Sequence, residues 1–172
     1  SYGNPSSMHR FGAHAGEAVA RAREQVAALL GAAHANEIVF TGSGSEADNL
    51  AVVGTLHAHP DKKHVITTAV EHPAVLGLCR DLEKRHGFEV TYLGVDGDGR
   101  LDLDELRDAL RDDTAVVSIM MANNETGVLF DSAAIGATGT ATLVIYSNDT
   151  NNPTAEVALS GVATEPLPGE ID

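Results

Sequence analysis

The sequence predicts an α/β fold, a mainly parallel sheet with helices on both faces, followed by a short C-terminal β-hairpin. Three observations predict it. From about residue 37 to residue 130, short β-branched runs alternate with segments of helical period, the pattern of strand–helix–strand crossovers. Strands such as "HVITTAV" and "TAVVSIMMA", alternating with helices of these lengths, imply right-handed crossovers and a mainly parallel sheet covered on both faces. From Asp131 onward the character changes: these 42 residues contain no Lys, Arg or His and carry six acids.

The first element is an amphipathic helix from Phe11 to Leu30. Phe11, Ala15, Val19, Ala22, Val26, Leu29 and Leu30 recur at helical spacing, and Gly31 follows as a C-terminal stop. "EIVF", residues 37 to 40, reads as a short buried strand. Ser45 to Ala58 reads as a second helix, ended by Pro60. After the strand "HVITTAV", Pro73 sits where a first helical turn tolerates it, Val75, Leu78, Cys79 and Leu82 form an inner stripe, and Gly87 closes the helix. "FEVTYLGV" is the next strand. Asp102 and Glu105 have the spacing of a reciprocal N-terminal cap on a helix that turns Leu103, Leu106 and Leu110 inward. "TAVVSIMMA" is the fourth strand of this series. In the tail, "TATLVIY" and "TAEVALSG" flank the turn-forming "SNDTNNPT", which predicts a hairpin.

Composition narrows the function classes. A net charge of -14 and a sequence pI near 4.8 argue against nucleic-acid and anionic-membrane partners, which need clustered Lys and Arg. One cysteine permits no intrachain disulfide, and no apolar run approaches the roughly 20 residues of a membrane span. A soluble protein of a reducing, cytoplasmic compartment is expected. The chain begins at Ser1 rather than Met, which leaves a preceding segment, a targeting peptide included, open.

The stretch "FTGSGSEADN", residues 40 to 49, poses the first chemical question. Gly42 and Gly44 allow a tight turn and Ser45 with Glu46 opens a helix, whose free N–H groups and positive dipole end can hold a phosphate. A Ser-capped turn with no ligand has the same sequence signature. The loop's company decides more. "GNPSSMHRFG" (3–12), "EIVFTGSGSEADNLAVVG" (37–54), "EHPAVL" (71–76), "VTYLGVDGDGRLDLDEL" (90–106) and "SIMMANNETGVLF" (118–130) occur in the order and spacing of the cysteine desulfurases. Through "DSAAIG", the chain resembles these pyridoxal-phosphate enzymes of the class V aminotransferase group over residues 1–136.

The resemblance implies a partial large domain of a fold type I pyridoxal-phosphate enzyme over 1–136, with 137–172 a hairpin tail of separate origin. It implies pyridoxal phosphate as cofactor, with Gly44 and Ser45 at the phosphate, His72 stacked on the pyridine ring and Asn124 on the phenolic oxygen. Gly44-Ser45 replaces the family's Ala-Thr pair and keeps the hydroxyl. On the residues alone, His72 ahead of Pro73 reads equally as a helix cap. The implied partners are L-cysteine and a sulfur-acceptor protein, and the implied reaction gives L-alanine and an enzyme persulfide, for iron-sulfur cluster or thio-cofactor synthesis.

The departures from the family matter as much. The Schiff-base Lys, the Asp on the pyridine nitrogen, its neighbouring Gln, the carboxylate-binding Arg and the nucleophilic Cys have no counterpart here. The lysines are Lys62, Lys63 and Lys84, and Cys79 reads as a packing residue. No catalytic residue is therefore assigned, and this chain alone is expected to be inactive. No metal site is assigned either. His57, His59 and His64 read as a solvated helix-end loop, and "DGDGRLDLDE" fails as a calcium loop because Leu101 stands at the glycine position and Arg107 at the bidentate acid. Asn124-Glu125-Thr126 and Asn148-Asp149-Thr150 are formal sequons, relevant only to a secreted chain.

Residues 139–163 resemble the last hairpin of an immunoglobulin-like β-sandwich, too few strands to close such a core. The tail thus suggests a truncated or chimeric frame. Two further functions stay open: a non-catalytic interaction protein whose tail pairs with a partner's sheet, and a split enzyme completed by a partner. An unpaired sheet edge predicts self-association.

Overall fold

The computed structural model describes residues 3–7, 9–136, 138, 142–147 and 159–162. The chain divides into two compact units, residues 1–42 and 43–172.

The first unit is built on helix α1, Arg10–Leu30. His9 caps its start by accepting the Gly12 N–H on Nδ1 at 3.2 Å, and Gly31, at φ 71°, ends it in the left-handed conformation that glycine adopts without steric cost. The chain before the helix folds back on its first turns: a Cβ at Gly12 would meet the Asn4 carbonyl oxygen at 2.5 Å. Two expectations fail in this unit. The apolar stripe of α1 does not form a core, since only Gly12 and Ala27 are buried and Phe11 and Leu29 are largely exposed. "EIVF" is not a strand. Ala35–Glu37 forms a single 3₁₀ turn in which the Glu37 carboxylate accepts the His34 N–H at 2.7 Å. The Ile38 carbonyl then goes to Arg23 Nε at 3.0 Å, and the same guanidinium lies over the Phe40 ring. A β-branched run becomes a strand only beside a partner, and here a side chain takes the backbone acceptor instead.

The second unit contains α2 (Gly44–Ala58), β1 (His64–Thr68), α3 (Pro73–His86), β2 (Glu89–Leu93), α4 (Leu103–Ala109), β3 (Thr114–Ala122), α5 (Ser132–Gly136), β4 (Thr142–Ser147) and β5 (Leu159–Val162). α3 begins and ends where the sequence predicts and α4 begins there; α2 starts at Gly44, one residue before the expected Ser45, and α5 has no counterpart in the sequence reading. Ser43 Oγ accepts the Glu46 N–H at 3.2 Å, Pro73 opens α3, Gly87 closes it at φ 70°, and Asp102 accepts the Asp104 N–H at 2.8 Å.

The strands form one sheet in the order β2-β1-β3-β4-β5, parallel except for the antiparallel β4/β5 pair. Residues 37–130 thus contribute three strands rather than four. The fourth parallel strand comes from the tail: β4 lies along β3 from Val116↔Thr142 to Ala122↔Ser147. The tail strand, which the alternative reading pairs with a partner's sheet, pairs within its own chain.

Val52 and Leu56 of α2 and Val75, Cys79 and Leu82 of α3 bury one face of the sheet against Val65 and Val116. Leu106 of α4, with Phe130 and Ile135, buries the other against Ile66, Leu93, Val117 and Ile119. Each large apolar side chain withdrawn from water contributes about 1.5–3 kcal/mol. The two helices lie on opposite faces because the chain reverses direction. It steps from β1 outward to β2 through α3, then returns past β1 to β3 through α4.

The amino ends of the strands are pinned by polar contacts. His64, expected in a solvated loop, is buried at the start of β1, where Nδ1 lies 2.7 Å from Thr114 Oγ1 and Nε2 2.9 Å from Thr91 Oγ1. Arg111 pairs with Glu89 at 2.7 Å and with Asp113 at 2.9 Å beside it. Among the described residues no helix is long and apolar enough to cross a membrane, and no cluster of three or more potential metal ligands occurs.

Candidate functional site

The strand order reverses between β1 and β3, and the crevice outside the carboxyl ends of the strands at such a reversal is where open α/β sheets receive ligands. Two loops flank it. One, residues 69–72, leaves β1 and carries His72 into α3; the other, residues 123–127, leaves β3 and carries Asn124. The start of α2 lies toward the same end, because five residues join the far end of α2 to the amino end of β1. The chain thus brings the first turn of α2, with Gly44 and Ser45, to the side of the sheet that carries His72 and Asn124.

Each of these residues has a local role. Gly44 is half-buried and Ser45 exposed in the first turn of a 15-residue helix, and the Ser45 carbonyl accepts Asn49 Nδ2 at 2.6 Å. Glu46 in the same turn already offers a negative charge to the helix dipole, which opposes a second anion there. His72 is the N-cap of α3: its Nδ1 accepts the Ala74 N–H at 3.2 Å, so a neutral ring carries its proton on Nε2. The cap reading of His72 is met. It uses an in-plane nitrogen, so the cap hydrogen bond itself does not occupy the ring faces. Asn124 is exposed at the tip of the β3 loop.

Two further residues, which the sequence reading passed over, organise the crevice. Glu71 is buried; its Oε1 accepts the Met120 N–H at 2.7 Å and the Thr68 hydroxyl at 3.3 Å, while its Oε2 is buried with no hydrogen-bond partner among the described residues. Burial pushes its carboxyl up to about 7, with the nearby Asp48 charge adding to the rise and the two hydrogen bonds opposing it. Asn123, also buried, donates from Nδ2 to the Val70 carbonyl at 3.2 Å. Its Oδ1 accepts the N–H groups of Glu125 and Thr126 at 3.0 and 2.9 Å and the Thr126 hydroxyl at 3.1 Å. The doublet "NN" followed by a glycine at φ 75°, Gly127, is the sequence trace of this turn.

The donor set fits the phosphate and phenolate ends of pyridoxal phosphate. A hydroxyl and first-turn N–H groups suit a phosphate, and a carboxamide suits a phenolic oxygen. It does not fit covalent attachment. Lys62 and Lys63 precede β1 and Lys84 ends α3, so all three lie at the amino ends of the strands, and Lys62 Nζ is engaged by the Thr114 carbonyl at 2.9 Å. About 16 Å of β1 separates them from the crevice. Cys79 is fully buried among apolar side chains, and burial pushes its thiol up to about 12. It is a packing residue, as expected.

A sequence profile of the aminotransferase class-V family, whose members depend on pyridoxal phosphate, matches residues 1–150, past the expected boundary at 136. A cysteine desulfurase of Trichormus azollae is 60% identical over 135 residues, which are 78% of this chain and 33% of that protein. The solved structure of a NifS-like protein superposes with a TM-score of 0.77 at 34% identity, covering 87% of this chain and 42% of its own. The structure of SspA in complex with cysteine does so with a TM-score of 0.72 at 38% identity, covering 80% and 40%. The chain spans about a third of the length of the curated relatives it matches. With the profile running from residue 1 to residue 150, the chain belongs to the aminotransferase class-V family.

Proposed function

We propose that this chain supplies the phosphate- and ring-binding part of the pyridoxal-phosphate site of a cysteine desulfurase, working in the cytoplasm on L-cysteine and passing sulfur to an acceptor protein. The observation that carries the reading is the crevice at the β1/β3 reversal, with His72 and Asn124 on its two flanking loops and Gly44-Ser45 at the helix start toward the same end. The desulfurase relatives support the choice of chemistry.

Pyridoxal phosphate, when bound, supplies an electron sink that weakens bonds at the substrate's α and β carbons. This chain's residues bind and orient. The Ser45 hydroxyl and the first-turn N–H groups of α2 would hold the phosphate, Asn124 would donate to the phenolic oxygen, and His72 would offer its ring for stacking. Neither a lysine nor a thiolate of this chain reaches the crevice, so the bond-breaking steps belong to groups it does not supply. Self-association through the outer strands, β2 or β5, is part of the same proposal.

Titration of the purified chain with pyridoxal phosphate tests the reading. Binding is expected to be non-covalent, so that borohydride reduction leaves no phosphopyridoxyl group on Lys62, Lys63 or Lys84. Ser45→Ala should weaken it by about 1.5–3 kcal/mol, the worth of a hydrogen bond to a charged group. L-Cysteine added to the loaded chain should release no alanine. Equal affinity of parent and Ser45→Ala would reduce the loop to a turn, and alanine release abolished by Cys79→Ala would overturn the role given to that thiol.

A further inference from the structure

Two ties cross the floor of the crevice, and each is made by the residue directly before a candidate cofactor residue. Glu71 precedes His72, and Asn123 precedes Asn124. The regular pairing of β1 with β3 ends at Thr67↔Ser118, yet β3 continues to Ala122. Beyond that point β1 has no backbone left to offer, and the Met120 N–H is met instead by the Glu71 carboxylate at 2.7 Å. The second tie runs the other way: Asn123 donates to the Val70 carbonyl at 3.2 Å and to Met120 Sδ at 3.4 Å. Its Oδ1 gathers the backbone of Glu125 and the backbone and hydroxyl of Thr126, which closes the turn around Asn124.

We propose that Glu71 and Asn123 are positioning residues: together they form a brace across the crevice that fixes the distance between His72 and Asn124 and so sets the affinity for the cofactor. The proposal rests on the pyridoxal-phosphate reading of the crevice. A buried carboxylate with one oxygen unpartnered is a costly way to satisfy one amide and one hydroxyl, and a buried water would satisfy the amide at less cost. What the carboxylate adds is reach. From the loop after β1 it spans to a strand that β1 itself no longer touches, and it carries His72 on the adjoining residue. Without it, the 69–72 loop keeps the Asn123 hydrogen bond and the packing of Val70 on the core beside β3, but loses the polar tie to the Met120 amide, and the two flanks of the crevice can separate.

The test compares Glu71→Ala, Glu71→Gln and Asn123→Ala with the parent chain, reading pyridoxal-phosphate affinity by titration and amide exchange by NMR. Glu71→Ala should weaken binding about tenfold or more, whereas Glu71→Gln, which keeps an acceptor oxygen, should stay within about threefold of the parent. The Met120 amide should exchange faster in Glu71→Ala, the Glu125 and Thr126 amides should follow it, and Glu71→Gln should restore all three. Ile66→Val, a mild core change that leaves both ties intact, should lower thermal stability without changing affinity. Should Glu71→Ala fail to fold, Asn123→Ala reads the same brace from the opposite loop, with faster exchange at Glu125 and Thr126 and weaker binding. Affinity unchanged in Glu71→Ala, or lost equally in Ile66→Val, overturns the proposal. A parent chain that binds no pyridoxal phosphate overturns the reading of the crevice instead. The brace is then judged on exchange alone, and Glu125 and Thr126 amides at the parental rate in Glu71→Ala sink it.

Discussion

Glu71 and His64 are both buried against β3, and burial moves them in opposite directions. It pushes the Glu71 carboxyl up to about 7 from 4.5, and it lowers His64 below 6.5, with the Arg111 charge lowering it further against the smaller pull of Asp113 and Glu89. The groups facing Glu71 are Asp48 of α2 and Cys79 of α3, neither of which stabilises its charged form. At pH 4 the Glu71 proton is bound in folded and unfolded chains alike. Between about 4.5 and 7 the folded chain keeps a proton that the unfolded chain has lost, so stability falls as pH rises through this window. The full loss is about 3 kcal/mol and is in place above pH 7. His64 acts on the other side: its neutral form is the one the fold accommodates, so stability falls as pH drops through 6.5 toward its lowered value. Glu71→Gln should therefore match the parent in stability at pH 4 and exceed it at pH 8 by up to about 3 kcal/mol, with the acid-side decline retained. Urea denaturation at the two pH values checks this. A variant no more stable than the parent at pH 8 would mean that the carboxylate is already charged and satisfied in the fold.

The helices of the second unit show which local signals govern an element. Gly87 sits at φ 70° with open space where a Cβ would project, so Gly87→Ala costs only the left-handed backbone conformation, about 1–2 kcal/mol, with no steric clash to add. A thermal melt of that variant measures it, and a neutral result would show that α3 ends elsewhere without penalty. Such signals are local, which is why the starts of α2, α3 and α4 and the full extent of β3 were legible in the amino-acid pattern. "EIVF" was not, because a strand is defined by its neighbour, and Arg23, from another element, takes the Ile38 carbonyl. His64 was misplaced for a related reason. A histidine at the edge of a polar run reads as solvated until two threonines from different strands, Thr91 and Thr114, close on its ring. The candidate site divides in the same way. Gly44, Ser45, His72 and Asn124 could be named from motifs, whereas Glu71 and Asn123 act through partners some 50 residues away in sequence, which no spacing announces.

At the scale of the whole molecule, the tail decides what the sheet exposes. β3 is buried from Thr114 to Met120, covered by helices on both faces and flanked by β1 on one edge. Without β4 its other edge would present the unpaired N–H and C=O groups of Val116 to Ala122 beside the buried Val116, Val117 and Ile119. Such an edge is a template for a second chain. The expected ground for self-association, an open apolar edge after the last strand of the series, is thus removed by β4 in the intact chain, whose outer strands are β2 and β5. β2 carries the charged Glu89 at its start, and Glu89 is engaged by Arg111, which makes that edge a poorer template. Removing residues 137–172 should restore the hazard. The shortened chain is expected to form dimers and larger species whose mass grows with concentration, while the intact chain shows a weaker dependence. Size-exclusion chromatography with light scattering at several concentrations reads the mass, and amide exchange reads the edge: the β3 amides should lose protection in the shortened chain when dilute and regain it when concentrated. A shortened chain that stays monomeric with its β3 amides as protected as in the intact chain would show that β4 contributes nothing to the sheet.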